Sequence, residues 1–294
     1  IVSSSRGCVF GCSFCSQQKF WNRSWRPRRP EAVVAELEHL RDAYRVDVAL
    51  LADEYPTPDQ ERWKRLLDLL RARRLGTRLL METRVEDIVR DAELMPDYRS
   101  AGIIHVYVGV EATSQAALDR FNKSLRVEQS REALRLIHGV GMVSETSFVL
   151  GMPEETPATI RATLELAKDY DPDFAHFLLI APWPYADIYP EVAPYLESRD
   201  YADYNLVTPG ARSAAMSRAE LMAASVECYH KFYMAKLPKW FGMAPGFKKD
   251  YLLTSMRLIM KSSFLQRHMG GLGRIPAEVE RYLGALAGTP GGRA

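Results

Sequence analysis

An α/β fold is predicted by this 294-residue sequence: a partial, TIM-like (β/α)6 barrel with a helical extension behind it. Three observations predict it. Apolar runs alternate with amphipathic stretches six times before Pro182, the rhythm of parallel strands joined by right-handed crossovers. The rhythm then stops, and Pro, Tyr and Asp crowd residues 182–215. No G-x-G-x-x-G follows the first strand, which weakens the alternative of an open, doubly wound dinucleotide sheet.

Each element follows in order. Ile1–Ser5 reads as the first strand. Pro30 opens a helix with Val33, Leu37, Leu40 and Tyr44 at helical spacing. The apolar run Val46–Ala52 predicts a buried parallel strand. Thr57-Pro58-Asp59-Gln60 reads as N-cap, two helical residues and a capping-box Gln. The helix it opens carries Trp63, Leu66, Leu67 and Leu70 on one face. Arg78–Thr83 is a strand and Glu86–Ser100 a helix. Ile103–Val110 is a strand, with helical segments near Ser114–Asn122 and Val127–His138. Met142–Leu150 is a strand, Thr156-Pro157 caps a helix to Tyr170, and Phe174–Ala181 is the sixth strand.

Ser217-Arg218-Ala219-Glu220 is a capping box for a helix reaching Ala235. Further helices are expected over Asp250–Gln266 and Ala277–Leu286. The domain reading is a barrel over 1–182, an irregular and helical extension over 183–287, and a disordered tail over 288–294.

Composition sets bounds. The chain is 47% hydrophobic, enough for a substantial core, and its net charge of +2 suggests neither bulk nucleic-acid binding nor membrane attraction. No transmembrane run and no secretory signal is read from it. Sparse free thiols predict a reducing, cytoplasmic setting. With no initiator Met and a strand at once, the sequence is expected to be a domain cut from a longer chain.

Cys8, Cys12 and Cys15 stand in Arg6-Gly7-Cys8-Val9-Phe10-Gly11-Cys12-Ser13-Phe14-Cys15, spaced C-x3-C-x2-C. Three thiolates can hold three irons of a [4Fe–4S] cube and leave the fourth iron open to another ligand. Zinc wants a fourth ligand nearby, but the first histidine is His39, in a predicted helix, and the other cysteine is Cys228. A disulfide scaffold does not suit a long chain with four cysteines. The cysteine pattern resembles the radical S-adenosylmethionine (SAM) superfamily, whose members bind SAM at the open iron.

In a barrel of this kind the chemistry gathers at the C-terminal ends of the strands. Asp53 and Glu54 end the second strand and suit a cation such as the SAM ammonium, with solvated loop acids as the alternative. Arg84 ends the third and can fork onto a carboxylate or form a surface ion pair. Glu111 ends the fourth and suits ribose hydroxyls or the methionine amine. Gly151 ends the fifth and allows close approach of a flat ligand, or simply turns the chain. Ala181 ends the sixth, where backbone atoms can read an adenine edge. Phe14 packs beside adenine or anchors its own loop.

Lys19–Arg29 holds five basic residues, three aromatics and no acid, and suits a cover over the cluster, an anionic substrate or a solvated loop. Trp183, Tyr185, Tyr189 and Tyr201 suit the floor of a pocket for a planar substrate, or ordinary packing. Cys228 reads as a packed helical thiol.

Further stretches resemble the cobalamin-binding branch of the superfamily, and most of all the anaerobic Mg-protoporphyrin IX monomethyl ester cyclases. They are Cys15–Trp21, Leu51–Glu54, Thr83–Ile88, Asp119–Lys123, Gly151–Pro157, Pro182–Pro184 and Tyr204–Pro209. The branch's N-terminal cobalamin-binding domain has no counterpart in these residues. The resemblance implies that Cys8, Cys12 and Cys15 hold [4Fe–4S], that SAM and cobalamin are cofactors, and that the substrate is a porphyrin. It also implies a low-potential electron donor such as ferredoxin or flavodoxin. A cobalamin-dependent C-methylase acting on another substrate and a non-catalytic binding domain are the competing readings.

Overall fold

The computed structural model describes residues 1–261 and, beyond them, 281 and 284. The expected short helix Ala277–Leu286, apart from those two positions, and the tail 288–294 lie outside the described residues. The strands are β1 (Ser5–Gly7), β2 (Trp25–Pro27), β3 (Val48–Leu51), β4 (Arg78–Thr83), β5 (Ile103–Glu111), β6 (Val143–Leu150) and β7 (Phe174–Leu179). The helices are α1 (Gln17–Phe20), α2 (Pro30–Tyr44), α3 (Gln60–Arg73), α4 (Val85–Arg90), α5 (Met95–Ser100) and α6 (Gln115–Arg120). They continue with α7 (Val127–Gly139), α8 (Pro157–Tyr170), α9 (Tyr189–Val192), α10 (Arg218–Gly242) and α11 (Phe247–Lys261).

Strands β3 to β7 form one parallel sheet in chain order, without the reversal of a doubly wound sheet. Steps in a single direction are those of a barrel wall. Ala49, Leu51, Leu79, Met81, Val106, Val108, Val110, Phe148, Leu150, Phe177 and Leu179 are buried in a core shared with residues of α2, α3, α7 and α8. The other face alternates with this one and is polar at Glu82, His105, Tyr107, Glu145 and His176.

Several sequence expectations are corrected. The first strand shrinks to one parallel bridge, Val2 on Leu51, because the Asp53 side chain takes the Ser4 and Ser5 N–H groups, and the chain from Ser5 to Gly7 pairs antiparallel with Trp25–Pro27. β3 is buried on one face only, with Val48 and Leu50 48% and 42% exposed on the other. Asp59, not Thr57, caps α3 by accepting from Arg62 N. Thr57 is instead buried against Thr83 and Asp87. The helix expected over Glu86–Ser100 breaks into α4, a 3-10 turn and α5 around Asp91 and Pro96. Asp91 is buried at the break and accepts from Gln60, Arg90 and Tyr98. α10 runs past Ala235 and through Pro238, because Leu237 and Trp240 go on burying apolar surface.

The extension packs onto the barrel. Leu221, Cys228 and Phe232 join the barrel core, and α10 with α11 encloses Val143 and Phe174. The outer edge of β7 meets two side chains and one loop carbonyl rather than a strand. Tyr233 Oη accepts from Ala175 N (3.3 Å) and donates to Ala175 O (3.1 Å). Ser225 Oγ donates to Phe177 O (3.0 Å), and Leu179 N donates to Leu206 O (2.8 Å).

Candidate active site

The cysteine loop leaves β1 at Gly7, beside the C-terminal end of β3. Gly7 has φ +95°, and a Cβ there would stand 2.1 Å from the Ser24 carbonyl oxygen, so the position requires glycine. Cys8, Cys12 and Cys15 are free thiols, Cys12 the most buried. Burial pushes Cys15 up to about 11 against the Gln17 backbone N–H, with Cys12 and Cys8 adding to the rise. Burial also raises Cys8, opposed by the Phe10 N–H. Arg84 Nη1 lies 3.6 Å from Cys12 Sγ. Donors of this kind stabilise sulfur once it is ionised as a ligand.

Among the described residues, no three Cys, His, Asp or Glu side chains converge on a position for a single metal ion. A [4Fe–4S] cube takes each sulfur on a separate iron, so three thiols on one loop fit it without sharing a point.

The strand ends are used to hold this loop. Asp53 is buried and accepts from Ser4 N (2.9 Å), Ser4 Oγ (3.0 Å), Ser5 Oγ (2.5 Å) and Ser5 N. Glu54 accepts from Gly7 N (3.0 Å) and Trp21 Nε1 (3.1 Å). Arg84 is buried, pairs with Glu86 and lies 3.6 Å over the Phe10 ring. Its carboxylate partner is thus within the chain. Phe14 packs edge-on against Phe121 at 5.0 Å.

Glu111 has φ +66° at the end of β5. It accepts from buried Lys123 Nζ (2.8 Å) and from Ser147 Oγ (3.0 Å), and Tyr107 Oη donates to Ser147 Oγ (2.5 Å). Gly151 has φ +87°, and its N–H donates to Glu155 (2.6 Å). The Ala181 carbonyl accepts from Trp183 N (2.9 Å) in a turn.

Sequence reasoning assigned no role to the segment that grips the loop from the far side. Ser13 N and Oγ donate to the Phe121 and Arg120 carbonyls (both 2.9 Å), and Asn122 Nδ2 donates to Gly11 O (2.8 Å). The signal available was Asp119–Lys123 itself, quoted above for its resemblance alone.

A 360 Å³ cavity lies against the polar face of the sheet, lined in part by Asp53, Glu54, Glu82, His105, Tyr107 and Glu145. Burial, with Glu54 and Asp53 nearby, pushes Glu82 up to about 7. Burial would raise Glu145 as well, but His105 and His176 outweigh it and hold the carboxyl at about 2. His105 Nε2 stands 2.9 Å from a Glu145 carboxylate oxygen. These residues were also missed, although polar residues at alternate positions of β4 to β6 marked them. A second cavity of 560 Å³ opens beside the loop and is lined by Lys19, Phe20, Trp21, Glu54 and Tyr185 among others. Of the four aromatics expected to floor one pocket, Tyr185 lines this cavity, Tyr189 is half-buried at the start of α9, Tyr201 is exposed against Tyr204, and Trp183 packs on the core.

Residues 2–167 match the radical SAM superfamily. The chain is 39% identical over 280 residues to the anaerobic magnesium-protoporphyrin IX monomethyl ester cyclase of Rubrivivax gelatinosus, covering 94% of this chain and 49% of that protein. It is 38% identical to the protein of the same name from Cereibacter sphaeroides, covering 89% and 43%. The chain thus spans about half the length of these relatives or less. Its fold is that of the radical SAM methyltransferase TsrM from Kitasatospora setae, with TM-score 0.60, 23% identity and coverage of 66% and 39%. Apo OxsB, a cobalamin-dependent SAM radical enzyme, matches with TM-score 0.62, 18% identity and coverage of 88% and 45%. By the superfamily match, which takes in the cysteine loop and the strands from β3 to β6, this chain belongs to the radical SAM superfamily.

Proposed function

We propose that the chain is the radical-SAM part of an anaerobic Mg-protoporphyrin IX monomethyl ester cyclase of bacteriochlorophyll synthesis. The observation that carries this reading is the set of three free thiols on a loop clamped at the strand ends, beside an acidic cavity. The choice of substrate rests on the 38–39% identical relatives. When bound, the cluster and SAM supply a 5′-deoxyadenosyl radical that takes a hydrogen from the esterified propionate of the porphyrin.

Cys8, Cys12 and Cys15 hold the irons, and Asp53, Glu54 and Arg84 fix their loop. Glu111, set by Lys123, faces the ribose or the amine of SAM. Phe14, Gly151 and Ala181 border the adenosine. Glu82 lines the cavity as an acid that burial pushes up to about 7, suited to hold or release a proton beside the substrate. Cobalamin belongs to the reading through structures solved with it bound, TsrM among them. The reading sets the chain in a reducing cytoplasm with a low-potential donor. No described helix is long and apolar enough to cross a membrane.

A C-methylase is the second reading, favoured by relatives such as the hopanoid C-3 methylase of Methylococcus capsulatus at 21% identity. One anaerobic assay separates the two. The reconstituted chain is given SAM, dithionite, cobalamin and Mg-protoporphyrin monomethyl ester, and products are read by mass spectrometry. Deoxyadenosine with a ring-closed pigment is expected. Deoxyadenosine without pigment conversion would favour a C-methylase acting on another substrate, and absence of deoxyadenosine would remove the radical-SAM activity.

A further inference from the structure

The ribbon that precedes the cysteine loop carries an arrangement that stability alone does not favour. In β1 and β2, Arg6 stands directly opposite Arg26, and both side chains are exposed. Like charges at directly opposed positions weaken a strand pair. Neither arginine has an ion pair among the described residues, and nearby Arg29, also exposed, has none. Cations with acidic neighbours in this chain do pair: Arg28 with Glu36, Lys19 with Asp187. Among the described residues Arg6 and Arg26 are therefore left without a carboxylate partner, and Arg29 has only the exposed Glu31 in its field, so the ribbon offers its charge outward.

Their position says what. Arg6 is two residues from Cys8. The Arg26 guanidinium lies 5.0 Å over the Trp21 ring, whose Nε1 donates to Glu54, which in turn holds the Gly7 N–H. Phe20, 74% exposed, packs edge-on against Trp21 and gives the basic patch an apolar anchor. The patch thus reaches the base of the cysteine loop through one aromatic ring and one carboxylate.

We infer that the β1–β2 ribbon, through Arg6, Arg26 and Arg29 around Phe20, is the docking surface for a small acidic electron-carrier protein that reduces the cluster. Charge complementarity selects the partner and speeds encounter, and the short path to Cys8 makes the same face the place of electron entry. The inference rests on the radical-SAM reading above, and its test is built to fail separately.

The probe is an acidic flavodoxin. Its binding is titrated by fluorescence, and deoxyadenosine formation is followed with either flavodoxin hydroquinone or dithionite as reductant. The key variant is Arg6→Glu. It replaces a repulsive cross-strand pair with an attractive one, so the thermal midpoint should hold or rise while flavodoxin binding weakens at least tenfold. Arg6→Gln with Arg26→Gln, which removes both charges without opposing two like ones, should weaken binding comparably and lower flavodoxin-driven turnover at least tenfold, with dithionite-driven turnover unchanged. Binding by the natural chain should fall steeply as salt rises from 50 to 200 mM.

Unchanged flavodoxin binding in both variants would overturn the assignment. So would an equal loss with both reductants, which would place the arginines in the fold or the site. Heparin bound as tightly as flavodoxin, and lost in parallel, would make the patch a general polyanion surface and would also overturn it. If the natural chain forms no deoxyadenosine with dithionite, the radical-SAM activity fails, and the binding titration still decides the docking surface.

Discussion

Replacing Asp53 with alanine separates a clamp from a ligand-binding acid. Its buried carboxylate accepts from two backbone N–H groups and two hydroxyls of Ser4 and Ser5. The hydroxyls can turn elsewhere, and Ser5 Oγ already reaches Tyr55 O at 3.4 Å. The two N–H groups cannot. A buried donor left unsatisfied costs about 1–3 kcal/mol, so Asp53→Ala should cost about 2–6 kcal/mol. That is a large part of the stability of an ordinary domain. Asp53→Asn keeps the shape and one acceptor, and should cost roughly half as much. Urea unfolding measures the loss, and iron and sulfide content after reconstitution measures its effect on the loop. A clamp predicts that stability and iron content fall together. If the alanine variant loses under 1 kcal/mol, keeps full iron and binds SAM weakly, Asp53 is a ligand to SAM and the clamp argument is wrong.

Three further outcomes are expected. Cys12→Ala should abolish SAM cleavage and leave the circular dichroism spectrum unchanged; retained cleavage would remove Cys12 from the cluster. Glu111→Ala leaves buried Lys123 unpaired and should cost about 3–5 kcal/mol in urea unfolding. Adding Lys123→Met should recover most of that stability but not SAM affinity by equilibrium dialysis, whereas full recovery of affinity would take Glu111 out of the site. Asp173 is buried, but His138 and Lys248 outweigh burial and hold its carboxyl at about 2. A lowered carboxyl stabilises the fold above its ordinary value, and that stability is lost as pH falls toward 2, amounting to about 2 kcal/mol. Asp173→Asn should flatten stability between pH 4 and 2, and an unchanged acid limb would refute the assignment.

The barrel was legible because each parallel strand and each surface helix writes its own period into the sequence. Arg78–Thr83 needed only local pattern, and so did the capped helices at Ser114, Thr156 and Ser217. What failed depended on partners distant in sequence. Thr57 looks like a cap until Thr83 and Asp87 reach it across the core. Ile1–Ser5 starts as a barrel strand, with Val2 beside Leu51, until the Asp53 carboxylate takes the Ser4 and Ser5 N–H groups. In the site, residue types at strand ends were readable, but their direction was not. Asp53, Glu54 and Arg84 bond to the loop because that loop arrives within reach, a fact of tertiary geometry. His105, Glu145 and His176 were hidden for another reason: a single strand does not say which face meets helices and which meets a cavity.

The hydroxyls along β7 bear on how the molecule behaves among copies of itself. A parallel sheet that ends in a bare strand offers a template to any unfolded neighbour. Here the hydroxyls of Tyr233 and Ser225 satisfy Ala175 and Phe177 as a further strand would, yet a helix cannot pass the pattern on to another chain. Cutting the chain after Pro182 would remove them all and uncover Phe177, Val143 and Phe174 with them. A shortened barrel of that kind should gather into β-rich aggregates rather than remain dispersed, so the helical extension serves as the barrel's insulation against its own kind.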